Sequence, residues 1–280
     1  MMMWKKIAAV VLILVGIVLI FSDRINDQYI NYQAKNTIKE AMEITPVQIK
    51  ENTEQTLPGP LEEERFDFDQ VEAININESW QSLLDQVLAQ EPEKPVPGTG
   101  TAVTNPGTTG GNKGPTSTMT EEQAKAELKK YSQKYIIGII KIPAIRLELG
   151  ILKGVLNRNL YMGAGTMRSD QVMGQRNYPL AAHHTQSYGV LFNRVPELKA
   201  GQMLYITDKE TIYTYRVYTR KKVHETEIEV IYDSVAKDRG KPILTLSTCF
   251  NLKEPESRII VQGELVGSQP YSEETFAALK

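Results

Sequence analysis

The sequence has few of the groups that build metal cages and disulfide frameworks: its 280 residues hold one cysteine, Cys249, and three histidines, His183, His184 and His224. A single thiol excludes an internal disulfide and the clustered CxxC zinc sites. Adjacent strand histidines make a poor chelate because neighbours point to opposite faces. Neither a metal site nor a cofactor follows from that supply. There is also no excess of positive charge: 32 Lys and Arg stand against 34 Asp and Glu, a net charge of -2, so no overall cationic field is available to grip nucleic acid. Internal repeats and long helices alternating with strands are both missing, which argues against a doubly wound sheet. With 41% hydrophobic and 24% charged residues, the composition is that of a globular chain able to bury a sizeable core.

What is present divides by region. Ile7 to Phe21 is an unbroken apolar run of 15 residues behind Lys5 and Lys6. With its flanks it comes close to the lower limit of about 17 residues for a spanning helix. The two lysines place the N-terminus in the cytoplasm and everything after Asp23 outside. A cleaved signal peptide would end in a small-residue site, which Ile20, Phe21, Ser22 and Asp23 do not supply, so residues 1–21 are expected to be an uncleaved membrane anchor. From Ser22 to Pro95 there are 16 acidic and 6 basic residues. Residues 22–91 read as an acidic stalk, weakly ordered, with helical patches at Tyr29 to Met42 and Ser79 to Leu88. Pro92 to Thr118 contains 19 Pro, Gly, Thr and Ser in 27 residues, a flexible linker that cannot bury a core. The folded domain is expected at 119–280, opening with a capping box at Thr120 and Gln123 and a polar helix to about Lys134.

From Tyr135 onward, short apolar stretches rich in β-branched and aromatic residues alternate with Gly, Pro, Asn and Asp. Strands are predicted at Ile136 to Ile142, Leu147 to Leu152, Tyr178 to Ala182, Met203 to Thr207, Thr211 to Val223, Ile243 to Cys249 and Arg258 to Val266. Such density points to a closed antiparallel or mixed β-barrel. On the segment Leu244 to Cys249 the two-residue period turns Thr245, Ser247 and Cys249 to one face. An unpaired cysteine taken alone is most often a small buried hydrophobe. Only one of His183 and His184, at the end of their strand, can approach a given thiol. Arg258 opens the strand after Cys249, where an antiparallel return would bring a permanent cation beside the thiol. His224 reads as a surface residue.

Together these residues resemble the sortases, bacterial cysteine transpeptidases of the cell surface, whose signature is TLxTC with a histidine upstream and an arginine downstream. Here the signature is Thr245, Leu246, Ser247, Thr248, Cys249. The run Gly163 to Thr166, then Asn177 to His184, then Leu191 and Phe192 resembles the family's approach to its histidine, and Ser257 to Gly263 resembles its arginine strand. The likeness spans about Ile136 to Val266. Ala182 departs from the Gly or Ser that often precedes the histidine, and Ser247 fills a variable position. Among subgroups the chain is most similar to class A, the housekeeping type, having its expected anchor at the N-terminus and a short polar tail after Val266.

The resemblance implies a mainly β fold: a closed sortase-type barrel of seven or eight strands with short helices, preceded by the transmembrane helix and the acidic extension. It implies Cys249 as nucleophile, His183 as general acid and base with His184 as runner-up, and Arg258 holding an oxyanion or positioning substrate. Thr248 is a further candidate oxyanion donor. Protonated His183 and Arg258 are the candidate cations that would favour the thiolate. Ile260 either lines an apolar pocket for a Leu-Pro segment or belongs to the barrel core. His224 to Pro242 corresponds to a specificity loop. The implied reaction is cleavage of an LPxTG-type signal between Thr and Gly, then transfer to a peptidoglycan precursor amine. The implied partners are therefore surface proteins, that amine and the cell membrane. Val96 to Gly100 in the linker differs from LPxTG only by Val for Leu, a match that linker composition makes by chance more readily than by design. A membrane-tethered, non-enzymatic binding module with Cys249 buried, and a peptidase that only hydrolyses, are the competing readings.

Overall fold

The computed structural model describes residues 28–55, 121–185, 188–251 and 254–280. The expected anchor, the linker, the Ser79 to Leu88 patch and the Val96 to Gly100 stretch lie outside the described residues. No helix among the described residues is long and apolar enough to cross a membrane.

Eight strands close into a barrel: β1 (Ile136–Ile142), β2 (Leu147–Leu152), β3 (Ala164–Thr166), β4 (Asn177–Ala181), β5 (Met203–Thr207), β6 (Thr211–His224), β7 (Ile243–Asn251) and β8 (Glu254–Pro270), in the order β1-β2-β3-β4-β7-β8-β6-β5. The barrel is mixed, because β2 pairs with β3 and β4 with β7 in parallel. All seven predicted strands are present. The eighth, β3, is three residues long, too short for a periodicity signal. It lies tight against β2: a Cβ at Gly163 would run into the Gly150 carbonyl and one at Gly165 into that of Gly154, so both positions require glycine.

Strand alternation gives each strand an inner and an outer face. Tyr178, Leu180, Leu244, Leu246, Ile259 and Val261 point inward into the main core. Two outer faces are covered. Over β1, β2 and β5 lie a helix of residues 28–43 (α1), α2 (Pro46–Glu54) and α3 (Glu121–Tyr135). The C-terminal helix joins them, contributing a fully buried Phe276. Over β4, β7 and β8 lies the connection from β6 to β7, residues 225–242.

Residues 28–55 depart from the solvated stalk predicted for 22–91. Ile30, Ala34, Thr37 and Ala41 are all buried, at steps of four, three and four, which forms one stripe of α1 facing the barrel. The regional charge hides that stripe: the helix itself carries two lysines and two glutamates, and the acidic excess of the 22–95 segment lies outside it. Thr45 caps α2 by accepting from the Gln48 amide at 3.2 Å. Buried Asn52 donates to the carbonyls of Gln133 and Ile136, both at 2.7 Å. Barrel lysines close both helix ends: Lys209 Nζ donates to Ile44 O at 2.8 Å, and Lys153 Nζ to Thr53 O and Gln55 O. The tail also differs from expectation. β8 continues to Pro270, and α6 (Glu273–Ala278) is capped by Ser272 and held by Lys141 Nζ, which donates to Phe276 O at 2.9 Å. α4 (Asn157–Met162) and α5 (Asp233–Arg239) complete the helices used below.

Candidate active site

The outer face of β4, β7 and β8 is a ladder of side-chain rows fixed by register. Asn177, Pro179 and Ala181 of β4 lie opposite Ile243, Thr245 and Ser247 of β7. Those β7 residues lie opposite Glu264, Gln262 and Ile260 of β8, and Cys249 lies opposite Arg258. Carrying the alternation two residues beyond Ala181 sets His183 in the row of Cys249 and Arg258. His183, 66 residues before Cys249, and Arg258, nine residues after it, thus share one end of one sheet face with the thiol.

Their environments differ. Cys249 is half-exposed. His183 is buried, stacks on Tyr161 of α4 with ring centroids 4.3 Å apart, and its Nε2 has no hydrogen-bond partner among the described residues. Burial, and then the charge of Arg258, push its pKa down from 6.5 to about 4. The imidazole is therefore neutral at neutral pH, which corrects the expectation of a protonated His183 beside the thiol in the resting protein. Arg258 is the permanent cation of the row. It is 3% exposed and donates from Nη2 to Glu225 Oε2 at 3.1 Å.

Glu225 and Tyr161 are the site residues that sequence reasoning missed. Glu225 follows directly on β6, whose register sets Val223 opposite Arg258, so the strand end itself delivers the carboxylate to the guanidinium. Two of the other candidates stand elsewhere. Thr248 belongs to the inner face, and its hydroxyl donates to Ala182 O at 2.9 Å, tying the His183 segment to β7. Donation to an oxyanion would require that bond to break. His184 bridges Leu191 on the next segment, with its pKa lowered by burial, and alternation turns it away from the thiol.

Ile260 lies outside the barrel interior. Fully buried, it packs in a separate cluster with Ala181, Leu160, Met167, Val230 and Ile231, between the sheet and the 225–242 connection. Among the described residues no three His, Cys, Asp or Glu side chains come together as a metal site.

A sortase domain model matches residues 140–266, which contain every group of this row. Sortase A of Bacillus anthracis is 40% identical over 148 residues, 53% of this chain and 67% of that protein. The chain belongs to the sortase family. Sortase A of Listeria monocytogenes is 39% identical over 144 residues, 51% of this chain and 63% of that protein. Sortase A of Streptococcus agalactiae is 40% identical over 169 residues, 59% and 66%. The chain thus spans about two thirds of the length of these curated relatives. The solved structure of Listeria monocytogenes sortase A covers 50% of this chain and 93% of its own at 37% identity, with a TM-score of 0.46. Sortases are cysteine transpeptidases, and this one is class A-like.

Proposed function

We propose that the chain is a membrane-anchored, cell-surface transpeptidase that cleaves an LPxTG-type sorting signal between Thr and Gly and joins the threonine to a peptidoglycan precursor amine. The observation that carries this reading is the shared row of Cys249, His183 and Arg258 on one outer sheet face. With His183 neutral, the thiol proton passes to its Nε2 as the sulfur attacks the threonine carbonyl. Arg258 faces the negative charge that develops on the carbonyl oxygen. His183 then gives its proton to the leaving glycine nitrogen, the C–N bond breaks, and a thioester to Cys249 remains. An incoming amine attacks that thioester, His183 accepts the amine proton, and the thiol is restored. The Leu-Pro segment is proposed to pack against the connection that Val230 and Ile231 anchor, with fully buried Ile260 as the floor on which that stretch rests.

Product analysis with a sorting-signal peptide tests the reading. Amine-linked product that grows with acceptor concentration supports it; hydrolysis unaffected by acceptor makes the protein a peptidase; and no cleavage together with an alkylation-resistant Cys249 makes the barrel a binding module.

A further inference from the structure

The connection over the site is held by a polar set that the proposed chemistry does not use. Asn177 is 1% exposed, and its Nδ2 donates to Val230 O and Tyr232 O, both at 3.1 Å. Its Oδ1 accepts from Thr245 Oγ1 at 2.8 Å, and its backbone N–H donates to Asp233 Oδ1 at 3.3 Å. Gln262, also buried, donates from Nε2 to Val230 O at 3.3 Å and to Thr245 Oγ1 at 3.2 Å, while its Oε1 accepts from the Tyr218 hydroxyl at 3.0 Å. Every donor and acceptor on the three side chains therefore has one direction. A flipped Asn177 amide would aim its oxygen at two carbonyls. Apolar residues would fill these strand positions at lower desolvation cost. What the polar set gains is a grip on the Val230 and Tyr232 carbonyls, in the stretch whose Val230 and Ile231 side chains pack with Ile260 and Ala181.

We propose that Asn177, with Gln262 and Thr245 behind it, is a positioning residue that fixes the height of the Val230–Ile231 wall over the sheet and so sets affinity for the apolar half of the sorting signal. The set reaches the chemistry only through that wall. This inference rests on the proposed sorting reaction for its substrate.

The test uses the full chain. In Asn177→Ala, amide exchange across 228–236 rises about tenfold, and KM for an LPxTG-type peptide rises about tenfold while kcat stays within about threefold. Alkylation of Cys249 by iodoacetamide keeps the wild-type rate. Thr245→Val, which keeps the side-chain shape, moves exchange and KM the same way by a smaller factor and serves if Asn177→Ala does not fold. Wild-type exchange in the variants, or a fall in kcat with KM unmoved, overturns the proposal. Should the wild type fail to turn over the peptide, the sorting reading falls while the exchange measurement still decides whether Asn177 holds the wall.

Discussion

The barrel wears two covers that differ in buried charge. The cover over β1, β2 and β5 seals an apolar face with Ala41, Ile44, Ile49 and Phe276 and uses lysines to close helix ends. The cover over β4, β7 and β8 adds buried charged and polar groups to its apolar cluster. Arg258 pairs with Glu225, Asn177 and Gln262 grip backbone carbonyls, and Glu264 is held well below its ordinary pKa, at about 2, by Arg216 and Arg239. Apolar burial is the efficient route to stability, whereas a buried ion pair often gains nothing over a hydrophobic replacement. The difference separates the half of the shell that holds the fold from the half that holds the chemistry.

Substitutions on the two sides break or sharpen that division. Cys249→Ala, a small change at a half-exposed position, is expected to cut turnover at least about a thousandfold with little change in melting temperature, read by peptide assay and thermal denaturation. Across the barrel, Ile49→Ala is expected to lose about 3 kcal/mol of stability by denaturant titration and to leave kcat/KM within about threefold where the protein stays folded. A comparable loss of turnover from Ile49→Ala would erase the distinction.

Acid sharpens the comparison at the site. His183 has a lower pKa folded than unfolded, so the unfolded chain binds its proton first. The stability involved is full above pH 6.5, is lost as pH falls from 6.5 to about 4, and levels off below that. The loss is of the order of 3 kcal/mol. Denaturant titrations at pH 7.5 and 4.5 should show His183→Gln losing less stability on acidification than the wild type by about that amount. Equal acid sensitivity in both would mean that the ring is not held neutral.

The smallest effect is expected at Thr248. Thr248→Val removes one hydrogen bond to Ala182 O, worth about 1 kcal/mol, and should lower kcat less than about tenfold. A loss of a hundredfold or more would assign the hydroxyl to the oxyanion after all.

What the sequence makes legible follows the range of each interaction. The strands of the barrel are local patterns of period two, and their positions agree with the structure to within two residues except for three-residue β3 and for β8, which runs four residues further at each end. Cys249, His183 and Arg258 stand out through a motif, and register then sets them in one row. Glu225, Tyr161 and the Asn177–Thr245–Gln262 set have no local signature. Their partners lie 33, 22 and 68 residues away for the Arg258, His183 and Thr245 contacts, and only the closed barrel brings them together. In residues 28–55 the helix itself is legible as the patch Tyr29 to Met42, but averaging charge over 22–95 conceals its buried stripe of Ile30, Ala34, Thr37 and Ala41 and so its packing on the barrel.

The central claim is that the exposed end of the outer row performs acyl transfer through Cys249. Intact-mass measurement of the full chain, mixed with an LPxTG-type peptide without added amine, tests it most directly. The account predicts a mass gain equal to the peptide up to its threonine, less the water of thioester formation, located on Cys249 and absent in Cys249→Ala. A thiol that alkylates readily but acquires no acyl mass from any sorting-signal peptide would contradict it.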